Sequence, residues 1–200
     1  MKTVNFSNHW TCQHPGDTNT RNNVTLPHDA MLSEPRTANA PGGASTGWFE
    51  GFDYVYEKMF DVPVHWAEQC VIFEFEGIYR HARVYLNGQE AAFCPYGYSG
   101  FYVEANPFLN FGGGNTIRVI ARNADQPNSR WYSGAGIYRP VWLHLLPMEH
   151  ISMDGIKIRT LSYEKPEIQV SVDRVGDGSV RVEILGGDPE CSGGTGRRRP

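Results

Sequence analysis

The run HARVYLNGQEAAF, residues 81–93, constrains the fold more than any other stretch. Asn87-Gly88 divides two β-prone segments, and Asn-Gly readily takes the left-handed backbone that a two-residue hairpin turn demands. Comparable strand signals recur on both sides. YVYEKMFDVPV (54–64) alternates until Pro63, and QCVIFEFEGI (69–78) follows. GFYVEAN (100–106), NTIRVIARN (115–123) and PVWLHLLP (140–147) complete the series, and no helical pattern of ten residues or more intervenes. Strands at this spacing, separated by turn residues, predict an all-β jelly-roll sandwich. Alternation puts Val71, Phe73 and Phe75 in the core, with Ile72 and the two glutamates of that run on the other face.

Composition agrees. Aromatic residues make up 12% of the 200-residue chain, and 22 Gly with 13 Pro supply turns. Residues 1 to about 50 show little periodicity. Their polar segment NTRNNVTLPHDAMLSEPRTANAPGGASTG predicts an arm or loop wrapped around the scaffold. Beyond Pro147 the aromatic content drops and strand signals resume at 155–161, 166–175 and 178–185. These strands predict the beginning of an immunoglobulin-like sandwich, incomplete because that fold needs about seven strands. The expected division is 1–147, 148–188 and a disordered tail, 189–200.

Several chemistries are disfavoured. A net charge of −4 leaves no basic stripe for nucleic acid, apart from the terminal GRRRP. Cys12, Cys70, Cys94 and Cys191 lie too far apart for a zinc motif or a disulfide scaffold, and the seven histidines show no ligand spacing. No metal and no cofactor is expected. Nothing resembles a signal peptide or reaches membrane-spanning length, so the expected compartment is the cytoplasm, or the periplasm or exterior had a leader been removed. Gly134-Ala135-Gly136 lacks the third glycine and following helix of a dinucleotide fingerprint. His28-Asp29 has no nucleophile elbow beside it and reads as a pair tying down a loop. Glu50, Asp53 and Glu57 give no assignable acid/base pair.

What remains is aromatic. Trp48, Phe49, Tyr54, Tyr96, Tyr98, Tyr102, Trp131 and Tyr132 fall at strand ends or in loops, as core or hairpin stacking or as plates for a sugar's apolar face. RWYSGAGIYRPVWL (130–143) reads as a loop feeding a strand. Gly134 and Gly136 permit a tight corner, Arg130 and Trp131 form an exposed lip, and Ile137, Val141 and Leu143 anchor the strand.

Taken together, LPHDA, GGASTGWFEGFDYVYEKMFDVP, VIFEFEGIYRHARVYLNG, GYSGFYVEAN, NTIRVIARN and RWYSGAGIYRPVWL occur in an order and spacing that resembles glycoside hydrolase family 2, the family of β-galactosidases, β-glucuronidases and β-mannosidases. The resemblance covers residues 1 to about 147. It implies a non-catalytic, sugar-binding jelly roll followed by the start of an immunoglobulin-like domain. The catalytic glutamates would lie on a (β/α)8 barrel, which needs about 250 residues by itself. The implied partners are a terminal β-linked sugar and the remaining domains of the same polypeptide, with no nucleic acid and no membrane.

The resemblance also suggests site residues. Galactosidases and glucuronidases carry an aspartate nine residues before the arginine of GIYR, where this chain has Arg130. A second galactosidase contact, an asparagine, corresponds to the stretch Gly51-Phe52-Asp53. Asp53, Arg130 and Trp131 are therefore the expected substrate-side residues. Arg130 would donate to hydroxyls or a carboxylate, or else pair with the barrel. Arg139 is expected to serve the contact with the next domain. The alternative functions are an autonomous carbohydrate-binding module and a purely structural scaffold.

Overall fold

The computed structural model describes residues 1–17 and 21–183. The chain is all-β and divides into two units, Met1–Met148 and Glu149 onward. The first unit is a two-sheet sandwich. One sheet takes the order β1 (Lys2–Asn5), β10 (Val141–Pro147), β5 (Gln69–Phe75), β8 (Phe101–Glu104). The other takes the order β3 (Asn22–Val24), β2 (Trp10–Gln13), β4 (Tyr54–Val62), β9 (Gly113–Ala121), β6 (Ala82–Leu86), β7 (Gln89–Cys94). All of these pairings are antiparallel. Helical structure among the described residues is confined to 3-10 turns of three to five residues, and no helix there is long and apolar enough to cross a membrane.

Period-two alternation builds the core. Ala82, Val84 and Leu86 of β6 meet Ile117, Val119 and Ala121 of β9 in one buried cluster with Val71, Phe73 and Phe75 of β5. The Phe60 and Phe73 rings, from opposite sheets, sit edge to face at 5.8 Å. Full burial of such a side chain contributes about 1.5–3 kcal/mol. Asn87 and Gly88 adopt φ of 50° and 83°, as the hairpin reading requires.

Two expectations change here. Ile72 is buried as well as its neighbours. The outer face of the four-stranded sheet also holds His144, whose ring contacts Thr3 Oγ1 at 3.0 Å and Glu74 Oε2 at 2.8 Å. The first 50 residues are more than a wrapping arm. β1, β2 and β3 lie within the two sheets, and Trp10 and Met31 are fully buried. Trp10 donates its indole N–H to Phe6 O at 2.9 Å. Lys58 Nζ donates to the same carbonyl at 2.9 Å and lies 3.5 Å from the centre of the Phe6 ring, and burial brings its pKa down to about 8.

The second unit is described as one antiparallel hairpin, β11 (His150–Ser162) with β12 (Glu167–Val175). The third strand expected at 178–185 is absent from residues 178–183, which have no regular structure, and its last two residues lie outside the described residues. So does the expected disordered tail, with its GRRRP sequence. Cys12, Cys70 and Cys94 are thiols, and Cys191 is also outside the described residues.

Candidate functional site

The segment 134–137 is held from both sides. His28 N donates to Ile137 O at 2.8 Å and Ala30 N to Ala135 O at 2.9 Å. On the opposite side Tyr79 and Gly136 exchange a pair of backbone hydrogen bonds at 2.9 and 2.8 Å. Gly134 and Gly136 have φ of 68° and 89°, backbone that glycine takes without penalty. A methyl on Gly134 would meet the Asp29 carboxylate at 2.7 Å, and one on Gly136 would collide with the Tyr56 phenol. Ile137, Val141 and Leu143 are buried, so the corner is fixed to the core immediately downstream.

Asp29 fastens the loop above that corner. Its Oδ1 accepts Met31 N at 3.1 Å and Ala135 N at 3.0 Å, and its Oδ2 accepts the Tyr132 hydroxyl at 2.6 Å. Burial raises the Tyr132 phenol well above its usual range, and the Asp29 carboxylate adds to this. His28 faces inward, with Nδ1 2.9 Å from the Tyr56 hydroxyl. Burial lowers the His28 pKa, against the opposing charge of Asp29. Beneath it, burial pushes the Cys12 thiol up to about 11. The His28-Asp29 pair therefore ties down a loop, as its setting in the sequence suggests.

Arg130 and Trp131 emerge from this fastened loop and line one cavity of about 510 Å³. Leu32, Arg36, Phe49 and Tyr132 complete its main walls. An antiparallel bridge brings Arg36 beside Phe49, with the guanidinium 4.8 Å from the ring centre, and the Phe49 and Tyr132 rings lie 6.0 Å apart. Trp131 is 60% exposed and Tyr132 40%. The wall thus combines rings with two guanidinium groups. It includes no carboxylate, and neither does the wall of a second cavity formed by Met1, Lys2, His65, Trp66, Gln69, Leu145, Leu146 and Pro147.

Asp53 stands apart from this lip. Its Oδ1 accepts the backbone N–H groups of Asn123 and Ala124 at 2.9 and 3.0 Å. The fully buried Asn123 in turn accepts from Gln126 and Asn128 through its Oδ1, at 3.0 and 2.9 Å. Asp53 thus shapes the 123–128 turn that leads into Arg130. Arg36 and Leu32 were missed as site residues because they lie in the polar segment with no strand pattern. The bridge between Arg36 and Phe49 brings Arg36 to the lip, and the Ala30–Ser33 turn capped by Asp29 carries Leu32. Of the eight loop aromatics, Phe49 and Tyr54 are buried, whereas Trp48, Tyr96, Tyr98, Trp131 and Tyr132 are exposed.

No family model matches the chain. Curated relatives do. A β-galactosidase of Bacteroides ovatus is 36% identical over 144 residues, which is 72% of this chain and 17% of that protein. A putative β-glucuronidase of Formosa agariphila is 31% identical over 150 residues, 75% of this chain and 14% of its own. Among solved structures, a β-glycosidase from Bacteroides vulgatus superposes with a TM-score of 0.78 at 28% identity, covering 89% of this chain and 25% of that one. A glycosyl hydrolase family 2 member from Bacteroides cellulosilyticus gives 0.72 at 26% identity, covering 81% and 23%. This chain thus spans about a sixth of the length of the curated relatives it matches.

Proposed function

We propose, from the premise that this chain belongs with the glycoside hydrolase family 2 proteins that are its homologues and structural neighbours, that its first unit grips a sugar without cleaving it. The carrying observation is the wall of the lip: exposed Trp131 and Tyr132 rings and Arg130 on a loop fastened by Asp29, with a second guanidinium from Arg36 beside Phe49, and no carboxylate. Rings cover the apolar C–H face of a pyranose, and the arginines donate to its hydroxyls or to a carboxylate. Retaining hydrolysis needs two carboxyl groups about 5 Å apart across the glycosidic bond, and the lip lacks even one. Arg130 and Trp131 act as contact residues. Asp53 acts through the backbone it holds, as a positioning residue. Hydrolysis would then belong to other domains of a longer polypeptide, and the second unit would be the start of an immunoglobulin-like sandwich.

The test is a pair of assays on the 200-residue chain. Nitrophenyl β-galactoside and β-glucuronide should release no nitrophenol above the buffer rate. Methyl β-galactoside or methyl β-glucuronide should shift the Trp131 indole N–H resonance, and Arg130→Ala should abolish that shift. Turnover at an enzyme-like rate would defeat the reading.

A further inference from the structure

Trp131 belongs to two surfaces. One is the lip just described. On the other side its indole Nε1 donates to the Tyr98 hydroxyl at 3.1 Å. Tyr98 lies 5.6 Å from Tyr96 at an interplanar angle of 65°, and 5.4 Å from Tyr79. Tyr96 and Trp131 are each about 60% exposed and Tyr98 is 38% exposed. Free energy favours covering rings, so leaving three of them open on one surface is costly unless something else uses them.

The array is also rigidly mounted. The Tyr138 hydroxyl donates to Gly97 O at 2.8 Å, and the Tyr79 hydroxyl donates to Asn128 Oδ1 at 3.0 Å. A side chain at Gly97 would run into the Tyr79 ring, so the 96–98 loop lies flat on that tyrosine. Arg139 is exposed, with its guanidinium 5.4 Å from the centre of the Tyr138 ring. Rings with hydroxyl and indole donors share the aromatic chemistry of the lip and are continuous with it through Trp131.

We infer that Tyr96, Tyr98 and Trp131 form an extension site for a saccharide chain, which carries the ligand beyond the single sugar held at the lip. The inference rests on the saccharide reading of the lip and names its substrate class: an oligosaccharide rather than a simple glycoside. The inclined Tyr96 and Tyr98 rings make a bent surface, which matches a soluble chain that turns between residues better than the flat face of a crystalline polysaccharide. Successive sugars would stack on Trp131 and then on Tyr96. The Tyr98 hydroxyl, which accepts the Trp131 indole N–H, would bond a sugar hydroxyl at their edge.

The experiment is a heteronuclear NMR titration of the 200-residue chain with neutral β-linked hexasaccharides of galactose, glucose and mannose, and with the methyl glycoside of each sugar. At least one hexasaccharide should bind about tenfold more tightly than its methyl glycoside, the scale of one added ring contact. Tyr96→Ala should remove that gain and leave the methyl glycoside untouched, because Tyr96 does not line the lip. Tyr96 is exposed, so the variant should fold, and an unchanged melting temperature checks this.

The inference fails should no hexasaccharide exceed its methyl glycoside, or should the gain survive Tyr96→Ala. It fails equally should sedimentation show a dimer that Tyr96→Ala dissolves, since a second copy would then cover the rings. Failure of the lip alone looks different: Arg130→Ala would change nothing, while Tyr96→Ala would still abolish hexasaccharide binding.

Discussion

Gly136 lies so close to Tyr56 that a single methyl group on its α-carbon would overlap the phenol oxygen. The contact ties the corner beneath the lip to β4, the strand that holds Tyr56 in the core. Small size and a φ of 89° are both required at this position, and glycine alone meets both.

Gly136→Ala should therefore destabilise the first unit by at least about 2 kcal/mol, from backbone strain and overpacking together. Urea unfolding checks this. Gly88→Ala gives the comparison, because Gly88 has a φ of 83° but open space at the β-carbon, so its cost should be the smaller one.

Asp29→Ala removes three hydrogen bonds at once: those from Met31 N, Ala135 N and the Tyr132 hydroxyl. The expected loss is about 1–3 kcal/mol for donors left without a partner. The sharper expectation concerns the lip. With Tyr132 released, Arg130 and Trp131 lose their fixed loop, so sugar-induced shifts at Trp131 should vanish even at temperatures where the variant remains folded.

Stability should fall on mild acidification through His28. Burial depresses its folded pKa below 6.5, its usual value. Between the folded and unfolded pKa values the unfolded chain binds the extra proton. The contribution is therefore fully present above pH 6.5 and is lost as pH falls from 6.5 toward the folded value. Thermal melting between about pH 8 and about pH 5 should show this decline. His28→Asn places a non-titrating group near the Tyr56 hydroxyl and should flatten it. Equal slopes in the two proteins would exclude His28 as the source.

Asn115 is a purely structural control. It is buried at 3% exposure and makes four side-chain bonds. Its Oδ1 accepts Asn87 Nδ2 at 2.7 Å and Asn110 N at 2.8 Å, and its Nδ2 donates to Asn110 O and Gly113 O, both at 3.0 Å. Asn115→Asp sets a carboxylate oxygen against two carbonyls and should cost at least about 2 kcal/mol, measured by denaturant unfolding. Sugar binding at the lip should be unaffected under folding conditions.

These residues also show what the sequence discloses and what it hides. Phe73, Val84 and Ile117 announce themselves by alternation, because one face of each strand meets the opposite sheet. Ile72 breaks the rule because the outer face of its sheet is also covered. Trp10 sits in a polar segment with no local pattern. The strand it opens is held between β3 and residues 55–57 of β4, and β1 pairs with β10 some 140 positions away. The lip divides in the same way. Arg130 and Trp131 are marked by a Gly-rich loop feeding a strand, whereas Arg36 joins them through a bridge to Phe49 that no local signal reveals. Asp53 is expected on the substrate side only through its match to a galactosidase asparagine, and no local pattern reveals that its Oδ1 also accepts the backbone N–H groups of Asn123 and Ala124.

The most direct test of the account compares the Trp131 indole N–H resonance of the chain and of its Arg130→Ala variant during titration with methyl β-galactoside and methyl β-glucuronide. A saturable shift in the first that disappears in the second is the predicted result. No shift in either protein, or an identical shift in both, would contradict a sugar held at this lip.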